Sequence, residues 1–358
     1  MAASPFTTDY MRDWSAAWAD YNNDGNVDLV VANFDGGTLA QRLYRNNGDG
    51  SFTAVVDSGL RSDTTAASCP WWIDYDNDGF LDLFVAKGTF LGAVANDCLF
   101  RNNGDGTFKK MTAAEVGPIL NDQLRSYSCS SADCDNDGRQ ELTVWHYSPP
   151  FESISDYTNF TWQCQANGTF EVTPNGLLDS PGYQWWGDYD NDGWLDALSN
   201  DFDLRPTLFR NLGAGGFTNV TAALNVTTPV EVNCPIWGNY DNDGWLGLFY
   251  TGAYGATTNT PNGLFHNNRD GTFTQILTGS PVWDGGRRYA PSWTDYDNDG
   301  FLDLFIAVGD AVPERNLLYR NNGNTNHWLK VKLDGRASNR SGIGARVRAH
   351  ATINGQTF

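Results

Sequence analysis

The sequence predicts an all-β fold, a β-propeller made of four-stranded blades, and three observations support this prediction. One acidic motif of nine residues recurs six times along the 358-residue chain, at spacings of 51 to 59 residues. A second motif follows the first by 20 to 27 residues in its copies. The segments around both motifs are short, apolar and bounded by Asn-Gly or Asp-Gly, which is typical of strands joined by tight turns.

The first motif has acidic or amide residues at positions 1, 3 and 5, Gly at position 6 and usually a carboxylate at position 9. We call its copies loops one to six. They read DYNNDGNVD (20–28), DYDNDGFLD (74–82), DCDNDGRQE (133–141), DYDNDGWLD (188–196), NYDNDGWLG (239–247) and DYDNDGFLD (295–303).

The second motif reads LYRNNGDGSF (43–52), LFRNNGDGTF (99–108), LFRNLGAGGF (208–217) and LFHNNRDGTF (264–273). A shortened copy ends in QANGTF (165–170), and LYRNNGN (318–324) opens a last one. Repeats of this length that hold about four short strands suit propeller blades, and radial closure protects sheet edges. Six loops predict six blades. Seven blades, or a linear β-solenoid, whose repeats are usually much shorter, are the alternatives.

A tryptophan precedes the loop by two residues in five of the six repeats. These residues are Trp18, Trp72, Trp186, Trp237 and Trp293, and Ser131 takes the place in the third repeat. We expect these rings to pack between blades. The alternative is that they are exposed and stack on a ligand.

The acidic loops predict calcium sites. Side-chain oxygens at positions 1, 3 and 5 converge in a tight turn that Gly at position 6 permits, position 7 offers its backbone carbonyl, and the carboxylate at position 9 closes the shell. Six or more hard oxygen ligands favour Ca²⁺ over Mg²⁺, which needs a smaller octahedral cage. An EF-hand starts similarly but requires a Glu at position 12 and flanking helices, which the repeats lack.

The predicted side-chain ligands lie in all six loops. They are Asp20, Asn22, Asp24 and Asp28; Asp74, Asp76, Asp78 and Asp82; Asp133, Asp135, Asp137 and Glu141; Asp188, Asp190, Asp192 and Asp196; Asp241 and Asp243; and Asp295, Asp297, Asp299 and Asp303. The predicted backbone-carbonyl ligands are Asn26, Phe80, Arg139, Trp194 and Phe301.

Charge agrees with a cation-binding protein. The formal net charge is −20, and 21 of the 43 acidic residues lie in the six loops, so nucleic acid is not an expected partner. About five or six Ca²⁺ ions would neutralise much of this charge. Loop five is expected to be weak or empty, because Asn239 replaces the first Asp and Gly247 removes the closing carboxylate.

With these motifs in place, the chain resembles the FG-GAP/VCBS-type calcium-binding propeller repeats, a class related to the heads of integrin α-subunits. The resemblance covers residues 1–323. The tail, 324–358, resembles the truncated start of an ASPIC/UnbV domain, through Asn339, Arg340 and the stretch 342–346, GIGAR. Such domains follow VCBS propellers in bacterial surface proteins and in cartilage acidic protein. The resemblance implies a non-enzymatic protein for adhesion, recognition or scaffolding, located outside the cell, on its surface or in the periplasm.

The enzyme hypothesis has little support in the sequence, because no nucleophile elbow, HExxH or phosphate-binding glycine loop is present. A polysaccharide lyase would need a basic and aromatic cluster, for which Arg287, Arg288 and Tyr289 are the one dense candidate. A lectin or protein-binding module is the stronger alternative, with 145–160 and 250–261 as candidate ligand loops or plain connections. An extracellular protein or glycan is therefore the expected partner.

Cysteine usage and hydropathy place further bounds on the chain. Six cysteines allow bridges such as Cys69–Cys98 and Cys129–Cys164 in an oxidising compartment, or else buried free thiols. The chain has no run of about 20 apolar residues, so we expect no membrane span. Its first ten residues show no secretory-signal pattern, and a mature form or an excised fragment stays open.

Overall fold

The structure is a computed structural model that describes eleven continuous segments of the chain and a few isolated residues and pairs. These are 13–33, 41–88, 95–147, 157–173, 183–200, 205–226, 232–252, 261–279, 281–283, 288–308, 316–326, the isolated residues 331, 333 and 347, and the pairs within 352–357. Residue 287, the side chains of 288 and 289, most of the predicted tail domain and most of the two candidate ligand loops lie outside the described residues.

The fold is an all-β, six-bladed propeller with four-stranded blades, as the sequence predicts. Each blade is an antiparallel sheet whose strands pair in chain order, and three strands of the sixth blade are described. Blades one to three comprise β1 (Asp13–Ala19), β2 (Asp28–Asn33), β3 (Gln41–Asn46), β4 (Phe52–Val55), β5 (Cys69–Ile73), β6 (Asp82–Ala86), β7 (Cys98–Asn102), β8 (Phe108–Lys110), β9 (Arg125–Ala132), β10 (Glu141–Tyr147), β11 (Tyr157–Cys164) and β12 (Phe170–Val172).

Blades four to six follow the same order. They comprise β13 (Gln184–Gly187), β14 (Asp196–Asn200), β15 (Pro206–Asn211), β16 (Phe217–Asn219), β17 (Val232–Gly238), β18 (Gly247–Gly252), β19 (Gly263–Asn267), β20 (Phe273–Ile276), β21 (Arg288–Thr294), β22 (Asp303–Val308) and β23 (Leu317–Tyr319). A hairpin of β24 (Thr352–Ile353) and β25 (Gln356–Thr357) lies in the tail.

Helical structure is sparse in the described residues. The helix α1 (Ala113–Val116) begins with a capping box between Thr112 and Glu115, and the other helical turns are short 3-10 segments. No helix among these residues is long and apolar enough to cross a bilayer.

The first strand of each blade contacts the first strand of the next, from β1 through β5, β9, β13 and β17 to β21. These strands therefore form the inner layer of the propeller. Each acidic loop connects the first strand to the second, because the pairing of Ala19 with Asp28 or Ile73 with Asp82 closes the hairpin. All six loops consequently lie at the same end of their blades.

Aromatic rings fill the seams between blades. Trp72 of blade two stacks on Tyr21 of loop one, with ring centroids 6.3 Å apart, and Phe108 packs against both rings. The Trp72 indole also donates a hydrogen bond to the Ala17 carbonyl of blade one, 3.4 Å away. Such aromatic clusters bury large apolar areas and add specific ring geometry to the packing.

The prediction that the repeated tryptophans pack between blades is confirmed at most positions. Trp237 stacks on Tyr189 and Trp293 on Tyr240, each across a seam. Trp186 donates to Ser130 of blade three, 3.3 Å away. Trp18 departs from this pattern, because it is 54% exposed and packs on Phe52 of its own blade.

The six cysteines are free thiols, four of them buried and two, Cys69 and Cys234, half-buried, and neither same-blade bridge forms. Cys98 donates to the Asp63 carboxylate, 2.9 Å away, while Cys164 donates to the Tyr75 carbonyl, 2.8 Å away. Cys129 instead lies beside Cys69 on the neighbouring inner strand and donates to its carbonyl, 3.8 Å away. Each of these thiols thus bonds to another group and not to the second cysteine of its own blade.

A buried ion cluster lies under blades one and two. Asp63 is 5% exposed; its Oδ1 accepts from Lys87 Nζ at 3.1 Å and its Oδ2 from Lys110 Nζ at 2.5 Å. Burial alone would raise the pKa of Asp63, but Lys87, Cys98 and Lys110 together hold it well below its ordinary value. The cluster is therefore charged at every pH at which the protein is normally handled.

We predict that Asp63→Asn lowers the free energy of unfolding by about 3–5 kcal/mol at neutral pH, because it leaves the Lys87 charge buried without a counterion. The folded-state pKa of Asp63 is depressed, so its contribution is complete above the unfolded value of about 3.9 and declines as the pH falls below it. Urea unfolding of both proteins at pH 7, 5 and 3 measures this. The difference between the two proteins should be the same at pH 7 and pH 5 and smaller by about 1 kcal/mol at pH 3, because the unfolded chain is then largely protonated at this position while the folded carboxylate stays ionised.

Glu115→Gln is the control, since Glu115 pairs with Lys109 at the surface. Exposed ion pairs contribute little to stability, so this variant should unfold like the parent at all three pH values. A difference between Asp63→Asn and the parent that stays the same from pH 7 to pH 3 would contradict the assignment.

Candidate metal centres at the blade hairpins

Loop two illustrates how the motif folds. Asp74 at position 1 accepts hydrogen bonds from the backbone N–H groups of Asp78 and Gly79, at 3.0 and 3.1 Å. Asn77 and Gly79 take left-handed backbone conformations, with φ of 54° and 90°. These conformations are accessible to Asn and Gly at little cost, so the chain can curl around the first carboxylate.

The carboxylates at positions 3 and 5 are held from outside the loop. Arg101, from the second motif of the same blade, contacts Asp76 through Nε and Asp78 through Nη2, both at 2.6 Å. The other oxygen of Asp78 accepts from the Phe80 N–H at 2.9 Å. Arg210 and Arg320 contact their own loops in the same way.

The carboxylate at position 9 is buried and connects the loop to the third strand. In loop two, Asp82 is 0% exposed and accepts from the backbone N–H groups of Asn102 at 2.8 Å and Tyr75 at 3.2 Å. Asp196 has the same two partners in blade four, namely Asn211 at 2.9 Å and Tyr189 at 3.1 Å. Position 9 thus has a structural role besides the predicted ligand role.

Several loop carboxylates nevertheless keep one buried oxygen without a hydrogen-bond donor. These oxygens are Asp28 Oδ2, Asp76 Oδ1, Asp133 Oδ1, Glu141 Oε1 and Asp295 Oδ1. An unsatisfied buried acceptor is rare in folded proteins and costs free energy. The loops therefore present oxygen atoms that a cation can satisfy.

The structure brings the predicted ligands of the loops close together. Ligand atoms lie within 4.8 Å of one another in sets that include Asp74 with Asp76 and Asp78, Asp133 with Asp135 and Glu141, Asp188 with Asp190 and Asp196, and, in loop five, Asp241 with Asp243 and His266. Sets of hard carboxylate oxygens at this separation suit Ca²⁺. The residues present fit the ion that the sequence predicts.

Burial and mutual repulsion perturb the acidity of these groups. Burial, followed by the neighbouring loop carboxylates, raises the pKa of Asp28, Glu141 and Asp196 to about 7. The same causes raise the pKa of Asp74 to about 6 and that of Asp82 well above its ordinary value. Charged carboxylates are therefore disfavoured here unless a positive charge is added.

The predicted position-7 residues carry out a packing role that the sequence did not indicate. The Phe80 ring covers Gly104 of the second motif so closely that a Cβ there would lie 2.9 Å from it, and Trp194 covers Gly213 in the same way. The Arg139 side chain instead contacts Asp137 of its own loop at 3.2 Å. Their carbonyl groups stay predicted ligands.

Loops one and five depart from the pattern. In loop one, Asn22 Oδ1 already accepts from the Asp24 N–H at 3.0 Å. In loop five, the Asn239 amide oxygen accepts from Asp243 and Gly244, and the Tyr240 ring occupies the space beside Gly247. These contacts support the prediction that loop five is the weakest site.

Sequence reasoning also missed the function of the Asn at position 4. In five blades its amide donates to the carbonyl of the position-6 Gly in the next loop, at 2.8 to 3.3 Å, which links neighbouring loops. The donors are Asn23, Asn77, Asn136, Asn191 and Asn242. The presence of Asn at this position in all six copies was the signal available in the sequence.

The Asn of the second motif links the blade to the preceding acidic loop in blades two, four, five and six. Asn102 donates to the Tyr21 carbonyl and Asn267 to the Tyr189 carbonyl, both at 2.8 Å. In the shortened copy the thiol of Cys164 replaces this amide and bonds to Tyr75. The acidic loops are thus joined through main-chain carbonyls in both directions.

A second candidate site is a cavity of about 160 Å³ at the inner strands of blades two, three and four. Trp145 lines this cavity, and its ring centroid lies 5.1 Å from that of Tyr127 and 4.6 Å from that of Tyr183. Trp71 and Trp185 complete the aromatic lining, and polar groups accompany them. The polar lining residues are Ser128, Ser130, Thr143 and Gln184.

The two ligand regions predicted from the sequence differ in where their first aromatic residue lies. Trp145, which opens the region 145–160, lines this cavity. Tyr250, which opens the region 250–261, is fully buried and packs over Gly263, so it belongs to the core and the prediction was wrong for this ring. His266 contacts Asp241 at 2.9 Å, where blades two, four and six place an Arg.

Comparison with protein families matches the FG-GAP-like repeat to residues 20–85, 188–250 and 239–306, slightly more than half of the chain. Cartilage acidic protein 1 from Mus musculus is 28% identical over 230 residues, which is 60% of this chain and 32% of that protein. The Homo sapiens protein is 26% identical over 60% of this chain and 31% of its own length. The chain thus spans about a third of the curated relatives it matches.

Among solved structures, the six-bladed β-propeller lectin of Aleuria aurantia aligns with a TM-score of 0.43 and 10% identity, covering 84% of this chain and 89% of the lectin. An ancestral GH74 enzyme aligns with a TM-score of 0.44 and 13% identity, covering 82% of this chain and 38% of the enzyme.

We predict that Asp196→Ala and Asp190→Ala differ sharply in metal-free buffer. Asp196→Ala removes the acceptor of two buried backbone N–H groups and should lower the free energy of unfolding by about 2–4 kcal/mol. Asp190→Ala removes a half-exposed ion pair with Arg210 and should cost at most about 1 kcal/mol. Urea unfolding in excess chelator measures both, and equal losses would contradict the structural role of position 9.

Proposed function

The chain belongs to the FG-GAP-like repeat family, and on that premise we propose that it is a calcium-stabilised recognition propeller and not an enzyme. The observation that carries this proposal is the set of unpaired, buried carboxylate oxygens that converge in the acidic loops at one end of the blades. The proposed setting is extracellular, cell-surface or periplasmic, where millimolar calcium would fill sites of modest affinity.

Each loop residue has a defined task in this proposal. Asp188 at position 1 accepts the Gly193 N–H and would offer a carboxylate oxygen to the ion beside Asp190 and Asp196. Asp190 and Asp192 are positioned by Arg210, which partly offsets their repulsion. A bound Ca²⁺ would supply the remaining positive charge and hold the hairpin closed.

Because the loops are linked to their neighbours, the proposal extends from single loops to the whole propeller. Asn191 of loop four bonds to Gly244 of loop five, and Asn267 of blade five bonds to Tyr189 of loop four. Fixing loop four therefore also fixes the carbonyls on which blade five depends. A ligand that binds only the folded state stabilises it by mass action.

We predict a calcium-specific rise in melting temperature. Thermal melts in 2 mM Ca²⁺, in 2 mM Mg²⁺ and in excess chelator should differ by several degrees, because several ions would contribute together and about 1 kcal/mol corresponds to about 1–2 °C for a chain of this size. Asp190→Ala should lower the melting temperature in Ca²⁺ and change it little in chelator.

Asp241→Ala in loop five is the matched control, because it removes the same position from the loop expected to be weak or empty. Its melting temperature should respond to calcium as the parent does. Identical melts of the parent in Ca²⁺ and in chelator would remove the basis of the calcium proposal.

A glycan-binding role is the second candidate, and the aromatic cavity around Trp145 is the observation that favours it. Aromatic faces pack against the apolar faces of sugar rings, while hydroxyl and amide groups bind sugar hydroxyls. The cavity is smaller than the roughly 300–1,000 Å³ typical of pockets for drug-sized ligands, which limits the occupant to about one sugar ring. Ser128, Ser130, Thr143 and Gln184 supply the hydrogen-bonding groups.

We predict that Trp145→Ala weakens binding to an array of immobilised monosaccharides, screened in 2 mM Ca²⁺, by about tenfold or more. We expect this loss because the variant lacks the aromatic ring that would stack on a sugar in the cavity. Trp283→Ala is the control, since Trp283 is 61% exposed and lies outside the cavity. A parent protein that binds no sugar on the array would eliminate this candidate.

A further inference from the structure

A cluster of metal-ligand side chains lies at the opposite end of blades two and three from the acidic loops. Asp97 precedes β7, Asp122 precedes β9, and His146 lies near the end of β10. Loop three joins the end of β9 to the start of β10, so the start of β9 and the end of β10 lie at the other end of the hairpin. A carboxylate oxygen of each Asp and a ring nitrogen of His146 all lie within 4.8 Å of one another.

The imidazole of His146 is the unusual member of this cluster. Its side chain is 1% exposed, and neither ring nitrogen has a hydrogen-bond partner. Nε2 lies 3.0 Å from Asp122 Oδ2, but the direction is wrong for a hydrogen bond, and this oxygen is likewise without a donor. Two buried polar groups that face each other unpaired require a third group between or beside them.

A metal ion matches that separation. Zinc lies about 2.0–2.2 Å from His nitrogen and carboxylate oxygen ligands, so two of its ligands are roughly 3 Å apart. In this arrangement the lone pairs of Nε2 and Oδ2 point toward the ion and not toward each other. The contact between His146 and Asp122 has the length of a shared-ligand contact.

Two hydrogen bonds hold the Asp97 carboxylate in place, as is usual for carboxylates that ligate a metal. It is 4% exposed; its Oδ1 accepts from the Lys87 N–H at 2.7 Å and its Oδ2 from the Ser126 hydroxyl at 2.6 Å. Each oxygen retains a further lone pair, and such hydrogen bonds to ligating carboxylates are usual around metal sites. The Lys87 ammonium is directed away, toward Asp63 and the Thr65 carbonyl.

Charge points to a divalent ion. Two largely buried carboxylates carry two negative charges when both are ionised, and burial, followed by the nearby Asp122 carboxylate, raises the pKa of Asp97 well above its ordinary value. A divalent cation with a neutral imidazole gives a site with no net charge. A nitrogen ligand excludes Ca²⁺ as the preferred ion and favours first-row metals such as Zn²⁺.

We propose that Asp97, Asp122 and His146 form a zinc-class metal site between blades two and three, separate from the calcium loops. Three protein ligands leave a fourth position for water or for a group of a partner. The side chain of Asp122 is 9% exposed, whereas those of the other two are more deeply buried, so the ion enters from the side of Asp122.

The test is titration of the full chain with Co²⁺, as a spectroscopic probe, and with Zn²⁺, in 2 mM Ca²⁺ so that calcium-selective loops are occupied. We expect one equivalent to bind, with visible Co²⁺ absorption typical of low coordination number. His146→Gln and Asp122→Asn should each weaken binding by more than about 100-fold, since loss of an outer-shell group alone costs about 10–100-fold.

His266→Gln is the matched control, because His266 and Asp241 form the other His–Asp pair among the described residues that carry an acidic cluster. It should leave the equivalent bound in calcium unchanged. Asp122→Asn decides the matter if His146→Gln fails to fold, because it is nearly isosteric and lies closer to the surface. Absence of binding by the parent, or unchanged binding by Asp122→Asn, would overturn the site, as would loss of binding in His266→Gln.

Discussion

A buried carboxylate at the ninth position of the hairpin holds each complete blade together, and much of the structure depends on it. Asp82 and Asp196 accept one N–H from the start of their loop and one from the third strand, so a single side chain fixes the hairpin and its register with the sheet. Placing that charge in the interior has a cost. Burial and the nearby aspartates raise the pKa of Asp196 to about 7, so its ionised form is disfavoured unless a positive charge lies nearby.

The same loops also connect the blades. The position-4 Asn reaches forward to the next loop, the second-motif Asn reaches back to the preceding loop, and a Tyr–Trp stack fills the seam beneath. Binding of a cation in one loop would therefore also stabilise the positions of both neighbouring loops. Where a blade loses part of this set, another residue compensates, as Cys164 does for the missing amide and His266 with Arg269 do for the missing Arg.

The two ends of the blades have different chemistry. Hard carboxylate oxygens gather at the hairpin end, which suits calcium and a structural role. An aromatic cavity lies against the inner strands, and at the end opposite the hairpins a histidine joins two buried carboxylates. This division separates what stabilises the propeller from what would contact a ligand, and it agrees with the general placement of function on the variable connections of a repeated scaffold.

The sequence by itself determined the repeat, the strands and the identity of the loop residues, and it favoured six blades over seven, because these follow from local spacing and turn chemistry within about 55 residues. Tertiary structure decided the rest. Residues from different strands or blades are joined by the hydrogen bonds that Asp82 accepts, by the bond from Asn77 to Gly138 and by the grouping of Asp97 with Asp122 and His146. No local pattern encodes such contacts, since they arise only when the blades pack. Tyr250 shows the same limit, because only packing over Gly263 makes it a core residue.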